Sequence, residues 1–491
     1  TQRVIYRLRA ELFGKVISLP IPYLDNHSHG DMMSRMTNDA ENVSAVISSS
    51  LSSLFSGVLM LIGTVIMMLH FSIPLTLLTC LTVVLSVIVT RVMSSLMRKY
   101  YLRRQELLGR LNGIVEEKVS ACKTVTAYNL QDSTIAEFNI ASDELTRTGI
   151  IADIIGNAMG PLMNTINNLS FVIVAAFGAW FALRGMISVG VISAFIIYSK
   201  QFSRPINELA QLYGQIQTAV AGAERIFGIL DAESEDKSGD CSFEVREGII
   251  EFKHVDFSYV PGKQVIYDFN LRVEAGKKIA LVGSTGSGKT TVVNLLMRFY
   301  DIDSGSITVD GVDIREISSD VLRDAVGIVL QDTVLFTDTV RNNLKYADHS
   351  ISDKKMIEAA ENSYCDRVVE TLPDGYDTVL TAAGANLSQG QRQLLTIGRA
   401  FLSYPKILIL DEATSSVDTR TEQHIQNAMV ELMRDRTSLI IAHRLSTIRD
   451  ADQIVVMDQG HIIETGTHEE LYAKGGNYYR LYITQFAGNQ T

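Results

Sequence analysis

A chain of 491 residues with 46% hydrophobic residues, a mean hydropathy of +0.14 and a net charge of −11 is too long for a single domain. Those averages hide two unlike halves, since residues 1–230 carry a net charge of +3 and residues 231–491 one of −14. The acidic half excludes nucleic acid as the main partner, and four scattered cysteines with no CxxC pair (Cys80, Cys122, Cys241, Cys365) exclude a disulfide frame or zinc site and read as thiols of a reducing compartment.

The chain opens on Arg3-Val-Ile-Tyr-Arg-Leu-Arg9, which reads as a helix entered partway, so a preceding segment is expected. Pro20, Pro22 and Gly30 then break residues 1–42 into a helix end, a turn and a short helix. Val43 to Thr90 contains no Asp, Glu, Lys or Arg. A spanning helix needs about 20 apolar residues, so this run holds two, near 51–71 and 75–96, with Pro74 marking the turn. Charged, helix-spaced sequence follows from Arg91 to Ala152, with a basic cluster at Arg98, Lys99, Arg103 and Arg104 that the positive-inside rule assigns to the cytoplasm. Ile154 to Leu183 is again free of charge, Arg184-Gly185 reads as a turn, and a fourth span is expected near 186–205, continuing as a helix toward Leu230. The spans are thus predicted near 51–71, 75–96, 155–183 and 186–205, in an integral, multi-pass membrane domain over 1–230 with both ends cytoplasmic. Asn157, Asn164 and Asn168 fall on one face of the third span with Asn167 beside them. Amides in hydrocarbon require a partner, and two readings stand equal: a solute pathway, or hydrogen bonding between helices. Residues 231–247 begin Asp231-Ala-Glu-Ser-Glu-Asp-Lys-Ser-Gly-Asp240 and read as an acidic linker.

From 248 to 491 the pattern changes to short apolar runs between helical segments, an α/β domain with a parallel sheet. Gly283-Ser284-Thr285-Gly286-Ser287-Gly288-Lys289-Thr290 fits the phosphate-loop pattern GxxxxGK[ST], between an apolar strand and a helix that opens at Thr291. Its glycines let backbone N–H groups turn inward on phosphate oxygens, Lys289 reaches the β- and γ-phosphates, and the Thr290 hydroxyl suits Mg²⁺. Three further runs end in polar groups: Val326–Leu330 in Gln331, Ile407–Leu410 in Asp411-Glu412, and Ser438–Ala442 in His443. Ligands of parallel sheets bind beyond the carboxyl ends of the strands, so all four sets are expected to converge on one nucleotide. Asp411 is the candidate Mg²⁺ holder and Glu412 the group that orients or deprotonates the attacking water. Gln331 is expected to reach metal and water, and His443 the γ-phosphate. Tyr259 precedes the phosphate loop and could stack on a base. Ser388, in Leu387-Ser388-Gln389-Gly390-Gln391, reads as the N-cap of a helix whose first N–H groups suit an anion.

These residues together resemble the ATP-binding cassette exporters, in which a transmembrane domain is fused to its own ATPase. Gly283–Thr290 is similar to Walker A, Ile407–Glu412 to Walker B, and Leu387–Gln391 to the LSGGQ signature. Gln331 resembles the Q-loop, His443 the switch histidine, Ser415–Asp418 the D-loop and Tyr259 the adenine-stacking aromatic. Arg298-Phe-Tyr-Asp301 and Asp310-Gly-Val-Asp313 are similar to the exporter branch, and Pro22–Asn26 through Gly30 and Arg35 resembles its first cytoplasmic coupling segment. The resemblance implies an all-α transmembrane domain followed by an α/β P-loop nucleotide-binding domain, and a half-transporter that pairs with an identical or related second one. It implies ATP and Mg²⁺ as cofactors, with each ATP held between Walker A of one chain and the signature of the other, and export by alternating access. The cargo it implies is hydrophobic or amphipathic (a drug, lipid or peptide), in a cell membrane with the ATP-binding domain in the cytoplasm. Three departures stand out: Gln389 replaces the first signature glycine, Ala382 stands where exporters carry a glutamate thought to help coupling, and four spans are found where the family has six. A cassette ATPase without transport and a cassette switch on a channel or receptor are the competing readings. The charge-free spans oppose the first, and Glu412 with His443 favours turnover over the second.

Overall fold

The structure is a computed structural model that describes residues 2–331, 333–381, 384, 386–411, 418–442 and 445–487, without the side chains of 49–51, 200, 202–211, 213, 445, 446 and 485–487. The chain divides into two compact units, one made of Thr1–Val16 with Gly30–Asp231 and one of Ile17–His29 with Ala232–Thr491.

The first unit is all helix. Its long members are Leu51–Phe71, Ile73–Ser120, Gln131–Leu183 and Val189–Leu230. Ser72 is extended (φ −165°, ψ 110°) and Pro74 lies in the first turn of the next helix, where its missing N–H is harmless. The apolar and charged stretches of residues 73–120 form one continuous 48-residue helix, because loss of hydrophobicity does not itself break α-geometry. Among the described residues, three helices are long and apolar enough to cross a membrane: His29–Phe71, Ile73–Ser120 and Gln131–Leu183. The fourth expected span starts later than Met186. Gly185 turns with φ +71° and Ser188 stays extended, so helix begins at Val189, and its apolar stretch Val189–Ser199 is shorter than a span. The remainder of that expected span includes residues whose side chains lie outside the description.

Met68, Leu75, Val174 and Phe195 form a buried apolar cluster that joins all four helices. A chain of hydroxyls runs beside it. Thr82 Oγ1 donates to the Thr79 carbonyl (2.8 Å) and lies 2.9 Å from Ser170 Oγ, which lies 2.9 Å from Ser199 Oγ. With one proton per hydroxyl, Ser170 donates to Thr82 and Ser199 to Ser170, so buried polar groups on three helices are satisfied across the interface. Beyond the apolar region the hairpin of the second and third long helices is laced by Arg103–Glu144 (2.8 Å), Arg104–Asp153 (2.9 Å) and Lys118–Glu137 (3.5 Å). Asp39, buried, accepts from both Nε (2.8 Å) and Nη2 (2.5 Å) of Arg225, which ties a one-turn π-helix at Arg35–Asp39 to the last long helix.

The second unit holds two sheets. Strands β1 (Ile250–Val260), β2 (Lys263–Val273), β3 (Lys278–Gly283), β4 (Ser304–Val309), β5 (Val312–Asp313), β6 (Val326–Val329), β7 (Ile407–Asp411), β8 (Thr437–Ile441), β9 (Gln453–Asp458) and β10 (His461–Gly466) follow in chain order. The expected parallel sheet is present in the order β10-β9-β3-β8-β7-β6, with only β10 antiparallel. A second, antiparallel sheet, β2-β1-β4-β5, packs Phe252, Phe257, Phe269 and Ile307 toward Ile279, Leu281, Ile409 and Leu439 of the first. The residues read as an acidic linker, from Ala232 on, pack within this unit. Glu235 is paired with Arg323 (2.5 Å), Lys237 with Asp320 (2.7 Å), Asp240 bridges to Ile317, and the Asp310 carboxylate accepts the N–H groups of Arg246, Glu247 and Ile249. Acidic composition suggested solvation, but here the carboxylates are bound locally. Ile17–His29, expected with the membrane domain, is likewise part of this unit: Glu235 N–H donates to the Ser18 carbonyl (2.8 Å), and the Tyr300 hydroxyl donates a short hydrogen bond to Asp25.

One carboxylate joins three strands of the antiparallel sheet. Asp256 of β1 accepts from the Asp268 N–H on β2 (2.9 Å), the Gln264 amide (2.7 Å) and the Ser304 hydroxyl on β4 (2.8 Å). The Asp268 N–H, followed by the other donors, holds the Asp256 carboxyl below the usual carboxylate range. A depressed folded-state value means the stabilisation is complete above the ordinary carboxylate range and disappears as pH falls through the folded value. Asp256→Ala is therefore expected to weaken the β1–β2 region by about 1 kcal/mol at neutral pH. Amide hydrogen exchange in β1 and β2, corrected for intrinsic rates, should be several-fold faster in the variant at neutral pH, and the difference should shrink only once pH falls below the ordinary carboxylate range.

Candidate nucleotide site

The phosphate loop is shaped by two close approaches. β3 ends at Gly283, paired in parallel with Met457 of β9. A Cβ on Gly283 would stand 2.2 Å from the Met457 carbonyl oxygen and 2.7 Å from Ser287 Oγ, so only glycine fits. Gly286 (φ +83°) and Gly288 (φ +101°) take the left-handed backbone that turns the loop into the helix Lys289–Leu296. Ser287 N–H closes the turn on the Ser284 carbonyl (3.1 Å), and Ser287 in turn accepts from Gly460 N–H (3.2 Å).

Lys289 is buried and folds back on the loop, donating to the carbonyls of Gly283 and Ser284 (2.8 Å each). Burial pushes its ammonium below the usual lysine range, while the Asp411 carboxylate pulls the other way. The strands behind the loop are in register: Leu281 of β3 opposes Ile441 of β8, which opposes Asp411 at the end of β7, and Leu410 opposes Val329 of β6, two residues before Gln331. One cavity of about 540 Å³ accordingly gathers Thr285, Gly286, Gly288, Lys289, Thr290 and Thr291 with Gln331 and Asp411. Val265 of β2 also lines it, a residue the sequence analysis did not single out, because one valine in a strand carries no signal. A second cavity, about 460 Å³, lies at the opposite ends of β7 and β8 against Tyr404, Pro405, Lys406 and Arg436, with none of the phosphate-loop groups.

Tyr259, half exposed at the end of β1, donates to Thr291 Oγ1 (3.2 Å), accepts from the Asn294 amide (3.3 Å), and meets the Tyr300 ring edge-on at 4.9 Å. Its hydroxyl is thereby fixed beside the phosphate-loop helix. Leu387 is buried, and Ser388 caps the helix Gln389–Ser403 in a full capping box. Ser388 Oγ accepts from Gln391 N–H (3.3 Å), and the Gln391 side chain accepts from Ser388 N–H (2.9 Å). Gln389 and Gly390 form the first helical positions, whose N–H groups have no intrahelical acceptor. Leu387 to Gln391 do not line the phosphate-loop cavity. Asp418 caps the helix Thr419–Leu432 through the N–H groups of Arg420 (3.2 Å) and Thr421 (3.0 Å). Glu412, His443, Ala382 and Ser415–Val417 lie outside the described residues.

With this geometry in view, comparison with known proteins defines the class. Residues 1–206 match the family model of the ABC transporter transmembrane region, and residues 266–415 the ABC transporter family model. The chain belongs to the ABC transporters, as an exporter half-transporter with an integral membrane domain and an ATPase that drives translocation. It is 44% identical to an uncharacterised ABC transporter ATP-binding protein of Bacillus subtilis, over 99% of this chain and 81% of that protein. It is also 44% identical to a fatty acid ABC transporter ATP-binding/permease protein of Mycobacterium bovis, over 98% of this chain and 76% of that one. An ATP-dependent lipid A-core flippase of Syntrophus aciditrophicus is 35% identical over 99% of this chain and 81% of its own length. A bacterial Atm1-family ABC exporter with ATP bound superposes with a TM-score of 0.77 at 28% identity, over 99% of this chain and 85% of that one.

The two loop glycines should respond differently to alanine. Gly286 faces open space, so Gly286→Ala meets only backbone strain of about 1–2 kcal/mol, whereas at Gly283 the added carbon must displace the β9 backbone. Thermal unfolding of the full-length protein is expected to fall more for Gly283→Ala than for Gly286→Ala; the reverse order would disprove the packing account.

Proposed function

We propose that the cavity formed by the phosphate loop, Gln331 and Asp411 is one half of an ATP site and that a second half-transporter completes it. The single observation that carries this reading is the shared cavity: phosphate-loop backbone, one lysine, three threonines, one glutamine and one aspartate converge at the carboxyl ends of four strands. In this reading Gly283–Thr291 cradle the phosphates, Lys289 pairs with the β- and γ-phosphates and Tyr259 stacks on the adenine. The hydroxyl of Thr290, the Gln331 side-chain oxygen and the Asp411 carboxylate are hard oxygen donors that would hold Mg²⁺. An Mg²⁺ held there would supply neutralisation of phosphate charge. Glu412 follows Asp411 directly and orients or deprotonates the attacking water, with Gln331 beside it and His443 on the γ-phosphate. Ser388 and the helix it caps, together with Asp418, serve the ATP of the partner chain. Closure of the two domains on ATP drives the membrane helices between inward and outward access. The domain limits taken in this reading are 1–230 for the membrane domain and 248–491 for the ATPase, with Ile17–His29 and residues 232–247 packed in the ATPase unit, and the cargo is a hydrophobic or amphipathic lipid-like solute.

Glu412→Gln is expected to bind ATP normally and to hydrolyse it about 10²–10⁴-fold more slowly. Nucleotide binding and phosphate release, measured on the same preparation in lipid, separate the two effects, and near-normal turnover would remove Glu412 from the mechanism.

The shared site has its own test. Lys289→Ala and Ser388→Ala proteins, each poorly active alone, should recover turnover when co-assembled, because one composite site then pairs an intact Lys289 with an intact Ser388. Co-assembly with no recovery of ATPase would show that both residues serve the same chain's nucleotide.

A further inference from the structure

The third long helix, Gln131–Leu183, has three distinct faces in its charge-free part. Ile166, Ser170, Val174 and Gly178 are buried, and this face packs on neighbouring helices. Leu162, Leu169, Val172 and Trp180, all exposed, form a second face about 120° away, built of the large apolar groups that suit lipid chains. Asn157, Asn164 and Asn168 occupy the third, within about 40° of one another at 100° per residue. All three are exposed, and among the described residues none of these amide side chains has a hydrogen-bond partner. The contrast with Ser170 on the same helix is direct, since that hydroxyl is paired across helices on both sides.

The backbone adds to this face. Pro161 stands four residues after Asn157 and has no N–H, so the Asn157 carbonyl loses its usual helical donor. Gly160, beside Pro161, has nothing within 4 Å of where a Cβ would stand, so the helix surface at this level is open. Counting about 20 residues of hydrocarbon back from the turn at Arg184 and Gly185 places Asn168 and Asn164 inside the membrane. Asn157 falls just beyond, on the side of the Arg104–Asp153 pair. The ladder spans about 16 Å along the helix axis. It offers donors and acceptors but no charge.

We infer that Asn157, Asn164 and Asn168 line the translocation path and hold the neutral polar headgroup of an amphipathic cargo by hydrogen bonds, at the inner interface and the adjoining part of the inner leaflet. The inference rests on the export reading above and adds to it a location and a headgroup chemistry. Its test uses the full-length protein in nanodiscs, with a photoreactive side chain at position 164 or, separately, at the lipid-like position 169. The probes are a monoacylglycerol and a free fatty acid of the same chain length. Position 164 should label with the monoacylglycerol in preference to the fatty acid, and labelling should fall when ATP is trapped in a Glu412→Gln background. Position 169 should label bulk phospholipid whether or not ATP is present. Asn164→Leu/Asn168→Leu should raise the monoacylglycerol concentration for half-maximal ATPase stimulation about tenfold, with Asn→Gln at both positions nearer to wild type. Cross-links from position 164 only to protein would show that the ladder packs against another helix and would overturn the inference, as would unchanged stimulation in the double leucine variant. Preferential labelling by the fatty acid would overturn the neutral-headgroup assignment. Monoacylglycerol labelling that ignores ATP would leave a lipid site standing but overturn its placement on the translocation path.

Discussion

The soluble unit depends on one steric constraint: the backbone of β9 lies where a side chain at the end of β3 would have to stand. Met457 and Gly283 are register partners, and the Met457 carbonyl occupies the space of the missing Cβ. That contact lets the central strands β9, β3 and β8 stay at sheet spacing to the last residue of β3 and then release the chain at once into the loop. Everything else at the site follows from parallel pairing. Because β8, β7 and β6 run in the same direction as β3, their carboxyl ends present Ile441, Asp411 and Gln331 to the same cavity as Lys289. The burial of Lys289 is a consequence, and its ammonium is held by loop carbonyls that only a tightly curled backbone can aim inward.

The membrane unit obeys a different solvent. In a soluble core a hydroxyl ladder such as Thr82–Ser170–Ser199 would compete with water. Within an apolar bundle its partners are the only ones on offer, so it fixes which faces of three helices meet. The same rule gives the unpaired asparagines their meaning. One helix carries polar groups on two faces, one satisfied internally and one not, and the bilayer does not tolerate the second without water, protein or cargo beside it.

Much of this was legible in the sequence, for stated reasons. Four apolar runs, each ending in a polar group, revealed the parallel strands because buried strands lack alternation and because Gly283–Thr290 punctuates one of them. The charge-free stretches marked the helices of the membrane unit by length alone. What composition could not reveal was pairing. Residues 231–247 look like a solvated linker because acidic residues usually are, and only the structure shows Glu235 on Arg323 and the backbone of 246–249 on Asp310. The antiparallel sheet was equally hidden, since β1 and β2 are bulged and their alternation is broken at several points. The helix start at Val189 rather than Met186 turned on the backbone angles of Gly185 and Ser188, which hydropathy does not encode.

The departure at Gln389 has a physical reading of its own. A glycine is irreplaceable where φ is positive or where another backbone fills the place of Cβ, as at Gly283 and Gly288. Gln389 meets neither condition. It is the first helical position after the Ser388 cap, it is not among the positive-φ residues, and its side chain is exposed. Glutamine also has a higher helix propensity than glycine, by about 0.5–1 kcal/mol in a helix interior. The groups that shape this helix start are instead the Ser388 hydroxyl and the Gln391 side chain, which close the capping box, and Gly390, which is buried. The substitution therefore leaves the cap and its outward N–H groups in place while strengthening the helix behind them.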